Sequence, residues 1–435
     1  MAKKKNATEA SEVTQSKDDI SPAKLAKLLI SEFNKDEDKS GKVAWNLATD
    51  TDNPTDVKEF ISTGSTLLNY AISNRRDGGI PVCKLTEISG EEASGKSLIC
   101  AHLIAETQRR GGIAVYIDTE NSANPDFMSR VGVNISEMVY LQPQTVEEVG
   151  EAIEKTIIMA RTRAPNKLVL IIWDSIAGTP TNIEVEGTFE LGMDLQLAKS
   201  KVLSKMMRKI TDTIGKERIA LVFTNQLKVK IGVMYGDPMT TPGGKAVPYH
   251  ASVRIRLQAG QKNKDAEDGD IYGVHTSAKI VKNRLGPPWR KVEFDILFAS
   301  GIDDEGSWFS KLHELEEIEK ADGWCYLKSI PSGRIEDKGV NAGKDRGFKF
   351  REKQFKEILS QEVEVESFDP KTGEFKRDSK GDPNKSKKTV KQHIQDLLEM
   401  HMIVRYNQKP KDLDLDPESL MDVESVTDAA MQGEL

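Results

Sequence analysis

Gly90-Glu91-Glu92-Ala93-Ser94-Gly95-Lys96-Ser97 fits the spacing G-x-x-x-x-G-K-[ST]. Its neighbours decide what that spacing means. Residues 85–89 read as a short buried strand, and 98–110 read as a helix. A strand, a small-residue loop and a helix in that order make a phosphate cradle. The glycines let the backbone wrap an anion, and the loop and helix N–H groups then point at it. Lys96 supplies a mobile positive charge for the β- and γ-phosphates, and Ser97 a hydroxyl for Mg²⁺.

Outward from this loop, the core reads as an α/β sheet. Four β-branched, apolar strands are expected at 85–89, 113–118, 168–173 and 219–224, with helices at 97–110, about 145–163 and about 195–215. Such uniformly apolar strands belong to a parallel sheet covered on both faces. From 249 onward, strands at 250–258, 274–282 and 290–298 are separated by Gly- and Pro-bearing turns, so the sheet is expected to extend with antiparallel or mixed strands. The expected division is a disordered 1–17, a helix–strand element over 18–59, the core over 60–310, a small α/β domain over 311–410 and an acidic tail over 411–435. In the second of these, Ser21-Pro22 starts a helix that puts Leu25, Leu28, Leu29 and Phe33 on one face, and 42–47 reads as an edge or exchanged strand. An element that short must bury its apolar face on the core or on another subunit. After 310, helices are expected at 310–321, 350–362 and 388–400, with a strand at 324–327 and a basic, mobile connection.

Composition excludes several classes. No run of 18 apolar residues exists, the charged N-terminus lacks an apolar segment after it, and the six histidines show no ligand spacing. A transmembrane span, a secretory signal and a zinc enzyme are therefore not expected. Three distant cysteines suit a reducing, cytoplasmic compartment. The net charge of −7 hides a strong asymmetry: 412–435 carries eight acids and no base, whereas 371–391 carries eight bases against three acids. The acidic end either competes with nucleic acid for a basic groove or solubilises the chain.

Ligands of open α/β sheets bind at the carboxyl ends of the strands. Glu120, Asp174 and Gln226 each follow or end one of the core strands. Asp174 closes an apolar run, as a carboxylate that orients Mg²⁺ does. Glu120 is placed to hold and deprotonate a water, and the Gln226 amide to sense a γ-phosphate. Taken singly, each could equally be a capping or turn residue. The glycine-rich run 227–244 follows Gln226 directly and interleaves Lys228 and Lys230 with apolar residues. It can grip a phosphate backbone with the lysines and insert Ile231 between bases. A second loop, 184–194, carries four acids, Glu184, Glu186 and Glu190 among them, and is a poor nucleic-acid loop on charge alone. Lys282 and Arg284 lie two apart on one strand face, as a solvated basic edge or as phosphate-neutralising fingers.

Together, Ile61–Ser65, Gly90–Ser97, Ile117–Glu120, Asp174-Ser175, Asn225-Gln226, Lys230–Gly236, Thr240–Gly244, Ala251–Arg254 and Val281–Asn283 make the chain resemble the bacterial RecA recombinases and their phage relatives of the UvsX type. The resemblance covers about 60–310. It implies a RecA-like P-loop ATPase core with a twisted, mostly parallel sheet, using ATP and Mg²⁺. It also implies helical filaments of many copies on single-stranded DNA, pairing with homologous duplex DNA, and mediator or single-strand-binding partners, in a bacterial or phage-infected cell. By the same resemblance Glu120 is the catalytic glutamate, Gln226 the allosteric glutamine and Phe127 the aromatic near adenine. Lys282 and Arg284 reach a neighbour's γ-phosphate, Arg284 standing where the family has lysine. Lys228, Lys230, Ile231, Gly232, Gly243 and Gly244 fall in the second DNA loop, and Met193 at the first. Asp303-Asp304-Glu305 departs from the family's base-packing aromatic. A ring helicase, a non-hydrolysing regulatory filament protein and an unrelated P-loop kinase are the alternatives.

Overall fold

The structure is a computed structural model that describes residues 21–35, 42–50, 56–186, 193–215, 217–229, 239–265, 269–332, 345–369, 372 and 374–404. Expectations for 1–17, for the acidic tail, for Lys230, Ile231 and Gly232, and for most of 184–194 lie outside these residues, as does the side chain of Met193. The chain divides into two compact units, one ending at Lys58 and one beginning at Glu59.

In the first unit, Ser21 caps α1 (Pro22–Phe33), its hydroxyl accepting from the Lys24 N–H, with Pro22 in the first turn. Leu25, Leu28, Leu29 and Phe33 are exposed. The strand expected over 42–47 is not formed. Asn34 holds that segment instead, its amide donating to Ala44 O at 2.8 Å and its oxygen accepting from the N–H groups of Val43 and Ala44. A strand needs a ladder partner, and here one side chain stands in for it.

The second unit is built on a nine-stranded sheet. Its strands are β1 (Leu85–Gly90), β2 (Ile113–Asp118), β3 (Met138–Leu141), β4 (Val169–Asp174), β5 (Ile219–Gln226), β6 (Val253–Lys264), β7 (Ile271–Asn283), β8 (Lys291–Leu297) and β9 (Gly301–Asp303), in the order β9-β8-β7-β6-β1-β5-β4-β2-β3. The six from β6 to β3 run parallel; β7, β8 and β9 add antiparallel pairings. β3 is an edge strand that apolar patterning does not reveal, since Val139 and Tyr140 are exposed.

Strand side chains alternate between two apolar layers. Tyr116, Leu170, Ile172 and Val222 face one layer, which includes Leu98, Leu103 and Ile104 of α3 (Lys96–Arg109). Val115, Ile117, Ile171, Trp173 and Phe223 face the other, with Val149 and Ile153 of α5 (Val146–Arg163) and Leu203 and Met207 of α6 (Met193–Ile214). Full burial on both faces is why these strands read as unbroken apolar runs. Two further helices matter below: α2 (Thr66–Ser73) and the short α4 (Pro125–Val131).

The first layer continues without a break into the C-terminal residues, taking in Trp308 and Leu312 of α7 (Asp304–Glu314), then Phe350, Phe355 and Ile358, and finally Ile394 and Leu398 of α8 (Val390–Glu399). Two helix expectations fail here. Over 310–321 the helix stops at Glu314, Glu316 turns to φ +59°, and Ile318–Ala321 pairs with Trp324–Leu327 across Asp322-Gly323. Both turn residues have positive φ, the two-residue hairpin geometry that Asp-Gly favours. Over 350–362 only Phe355–Ile358 is α-helical. Glu362–Glu366 is then a strand against Lys385–Thr389, placing Glu364 opposite Lys387 and Glu366 opposite Lys385. Lys385 and Lys387 of the basic stretch thus lie on a strand that faces acids.

Candidate functional site

The phosphate-loop sequence occupies the turn from β1 to α3. Gly95 is the helix N-cap at φ +95°, and a Cβ there would lie 2.4 Å from Ile296 Cδ1. A Cβ on Gly90 would lie 2.3 Å from Ser94 Oγ. Both positions therefore require glycine. Ser94 is buried and closes the turn by donating to Glu91 O at 2.8 Å, while Glu91, Glu92 and Ala93 are exposed. No side chain caps α3, so its first N–H groups are open to an anion. Lys96 Nζ donates to Gly90 O at 3.2 Å and Glu91 O at 2.7 Å. Burial holds its ammonium below the ordinary lysine value, against the opposing pull of Asp174 and Glu120.

Asp174, at the end of β4, is 2% exposed. Its Oδ2 accepts from Ser97 Oγ at 2.9 Å and from Tyr116 OH at 2.6 Å, and its Oδ1 from the Thr224 hydroxyl. Burial, and then Asp174, push the Tyr116 phenol far above its ordinary value, so it remains a donor. Ser97 and Asp174, named from separate stretches of sequence, are thus in direct contact. Glu120 follows β2, and its Oε1 accepts from the Ser175 hydroxyl. Gly178 lies against it: a Cβ there would be 2.8 Å from Glu120 Cγ. The turn carrying Glu120 is shaped by buried Asp118, whose carboxylate accepts the N–H groups of Glu120, Ser122 and Ala123 and the Tyr140 hydroxyl. Sequence reasoning assigned nothing to Tyr116, Asp118, Thr224 or Ser175. Their one signal is position, at or beside the ends of three strands. Phe127, on α4, is half-buried against the apolar layer, with its N–H on Asn124 Oδ1 at 3.0 Å.

Gln226 is the exposed last residue of β5. The next residue, Leu227, donates its N–H to Gly90 O at 3.2 Å, the same carbonyl that Lys96 holds. Lys228 and Val229, both exposed, pair with Thr240 and Met239. Gly243 and Gly244 have φ of +97° and +70°, and Cβ atoms there would meet Leu203 Cδ1 at 2.8 Å and Ser200 Oγ at 2.3 Å. The far end of this loop therefore rests on α6.

Lys282 Nζ donates to the carbonyls of Pro248 and Tyr249 at 2.7 and 3.0 Å, and Arg284 also reaches Tyr249 O, at 3.2 Å. The pair shares one face, but its partners end the short helix Ala246–His250 rather than the phosphate loop. Burial first, and then Arg284 and Arg254, pull Lys282 down to about 8. All three acids of Asp303-Asp304-Glu305 have partners within the second unit. Asp303 caps α7 and pairs with Lys356 at 2.8 Å, Asp304 accepts from the Thr66 N–H and hydroxyl, and Glu305 pairs with Lys391 at 3.2 Å. Among the described residues no three or more His, Cys, Asp or Glu side chains gather as a metal site, and no helix is long and apolar enough to cross a membrane.

A parallel sheet with a glycine-bound turn at one strand end, and carboxylates and an amide at the next three, defines a RecA-like α/β fold of the P-loop class. Within that class the match is specific. The pattern of the RecA N-terminal domain covers residues 27–303. Protein RecA of Rickettsia prowazekii is 38% identical over 276 residues, 63% of this chain and 77% of that protein. Protein RecA of Ruminococcus albus is 37% identical over 279 residues, 64% of this chain and 67% of that protein. The chain belongs to the RecA family, and so to a group of ATP-dependent DNA-recombination proteins.

Proposed function

We propose that this protein is a DNA-dependent ATPase that forms helical filaments on single-stranded DNA and carries out homologous pairing and strand exchange, releasing ADP and phosphate. The observation that carries this reading is the Gly90 carbonyl, which accepts from both Lys96 Nζ and the Leu227 N–H. The residue that meets a nucleotide and the first residue of the DNA loop share one atom, so movement of Lys96 onto a phosphate is felt where that loop begins.

The phosphates would lie over the N–H groups of the Gly90–Ser97 turn and the start of α3, with Lys96 released from Gly90 and Glu91. A hydroxyl and a single carboxylate, Ser97 and Asp174, suit Mg²⁺, which keeps few protein ligands and takes the rest from phosphates and water. Ser97 and Asp174 would hold the ion, which would supply charge neutralisation at the phosphate oxygens. Tyr116 and Thr224 orient Asp174 for this. Glu120, freed from Ser175, would hold the attacking water and take its proton. Gln226 would report the γ-phosphate to the loop after it. Lys228, Lys230, Ile231 and Gly232 would contact single-stranded DNA, with Gly243 and Gly244 at the loop's far hinge and Met193 at the first DNA loop. Phe127 would stand beside adenine. Lys282 and Arg284 would leave the Tyr249 carbonyl for a neighbouring subunit's phosphates.

Electron microscopy with single-stranded DNA, Mg²⁺ and a slowly hydrolysed ATP analogue tests the proposal. Helical filaments are expected. Closed rings, or no assembly, would overturn it.

A further inference from the structure

Asn225 is fully buried, one residue before Gln226. Its Nδ2 donates to Glu87 Oε1 at 3.0 Å and to Pro242 O at 3.2 Å. Both partners are pure acceptors, which fixes the orientation of the amide. Glu87 is itself fully buried on β1, in register with Arg254 of β6, whose Nε donates to Glu87 Oε2. The glycine-rich segment therefore begins and ends at one place. It leaves β5 through the Leu227 N–H on Gly90 O, pairs Lys228 with Thr240, and returns at Pro242, where Asn225 holds its carbonyl. Glu87 lies three residues before Gly90 on the strand that carries the phosphate loop.

One further atom matters. Asn225 Oδ1 is buried with no hydrogen-bond partner among the described residues. An orphaned buried acceptor is costly, and a hydrophobic or fully paired residue would suit a static core better. An unfilled acceptor beside two filled donors fits an amide that exchanges partners between two arrangements.

We propose that Asn225, held by Glu87 and Arg254, is a positioning residue that closes the neck of the loop after Gln226 and so couples nucleotide binding to DNA binding. The inference rests on the function proposed above. Its readout is the coupling factor: the Kd for a fluorescent oligothymidylate without a nucleotide, divided by the Kd with a non-hydrolysable ATP analogue and Mg²⁺. In the Asn225→Ala full chain the factor falls at least about fivefold, while affinity for the analogue alone stays within about twofold. By reciprocity the effect of DNA on analogue affinity falls equally. Glu87→Gln keeps the shape and an acceptor for Asn225, so it gives a smaller fall in the same factor. It also carries the test if Asn225→Ala does not fold by circular dichroism. If the variants lose nucleotide and DNA affinity together at an unchanged factor, the role is merely structural and the inference is overturned. A natural chain whose DNA affinity is indifferent to the analogue overturns the proposed function, and this inference with it.

Discussion

The strand-end site and the C-terminal lobe are built from similar residues in opposite ways. At the strand ends, Asp174 is buried and bound by three hydroxyls from three elements, and Gly90 O is shared by two donors. In the lobe, acids and bases face each other in exposed pairs, such as Asp303 with Lys356 and Glu305 with Lys391, above a continuous apolar layer. Where buried polar atoms are tied to several elements at once, one substitution changes chemistry. Where polar groups are paired at the surface, apolar packing carries the stability and single charges matter little.

The contrast is broken most easily at Glu120. Glu120→Gln keeps the size and the contact with Ser175 but removes the carboxylate proposed as the base. ATP turnover in the presence of single-stranded DNA should fall by about 10²-fold, with nucleotide affinity nearly unchanged. Undiminished turnover would remove Glu120 from its assigned role. A smaller effect is expected at Gly178, where a methyl group would come 2.8 Å from Glu120 Cγ and 2.9 Å from Oε1. Gly178→Ala should lower turnover about tenfold by displacing the carboxylate, again with little change in ATP binding. An equal loss in binding and turnover would mean that the substitution disturbs the whole sheet end rather than the carboxylate alone.

The same contrast explains what could be read in advance. Strands β1, β2, β4 and β5 were legible because each lies under both apolar layers, so pattern and structure agree. The position of Ser97 was legible from the phosphate-loop spacing, and those of Glu120, Asp174 and Gln226 because a sheet places polar residues at strand ends. Glu87 and Asn225 were not, because a buried polar residue inside a strand looks like an interruption until its partners are known. Their partners come from distant elements, 138 positions apart for Asn225 and Glu87. The lobe was misread for another reason. Glu362–Glu366 alternates with the period of a strand, and Asp322-Gly323 is a hairpin turn. Both signals are local and present, but each is short and lies at the end of a segment expected to be helical.

The finest test lies where the two regions meet. Asp304 opens α7 and receives the Thr66 N–H at 2.7 Å and hydroxyl at 2.6 Å, yet burial pushes its carboxyl up to about 6 from the usual 3.8. The folded state therefore disfavours its charged form. Well below pH 3.8 the group is protonated whether the chain is folded or not, and contributes no penalty. As pH rises to about 6 the unfolded chain ionises first, and folding stability is lost by up to about 2–3 kcal/mol. Asp304→Asn cannot ionise, and its amide oxygen still accepts the Thr66 N–H. Its stability relative to the natural chain should therefore rise between pH 4 and 6 and level off above, as followed by urea unfolding. Replacing Lys356 or Lys391 with Ala, whose side chains are 55% and 48% exposed, should cost about 1 kcal/mol or less at any of these pH values. A pH-independent Asp304→Asn difference would show that Thr66 stabilises the carboxylate enough to offset its burial, and Asp304 would then belong with the tightly satisfied groups of the strand-end site.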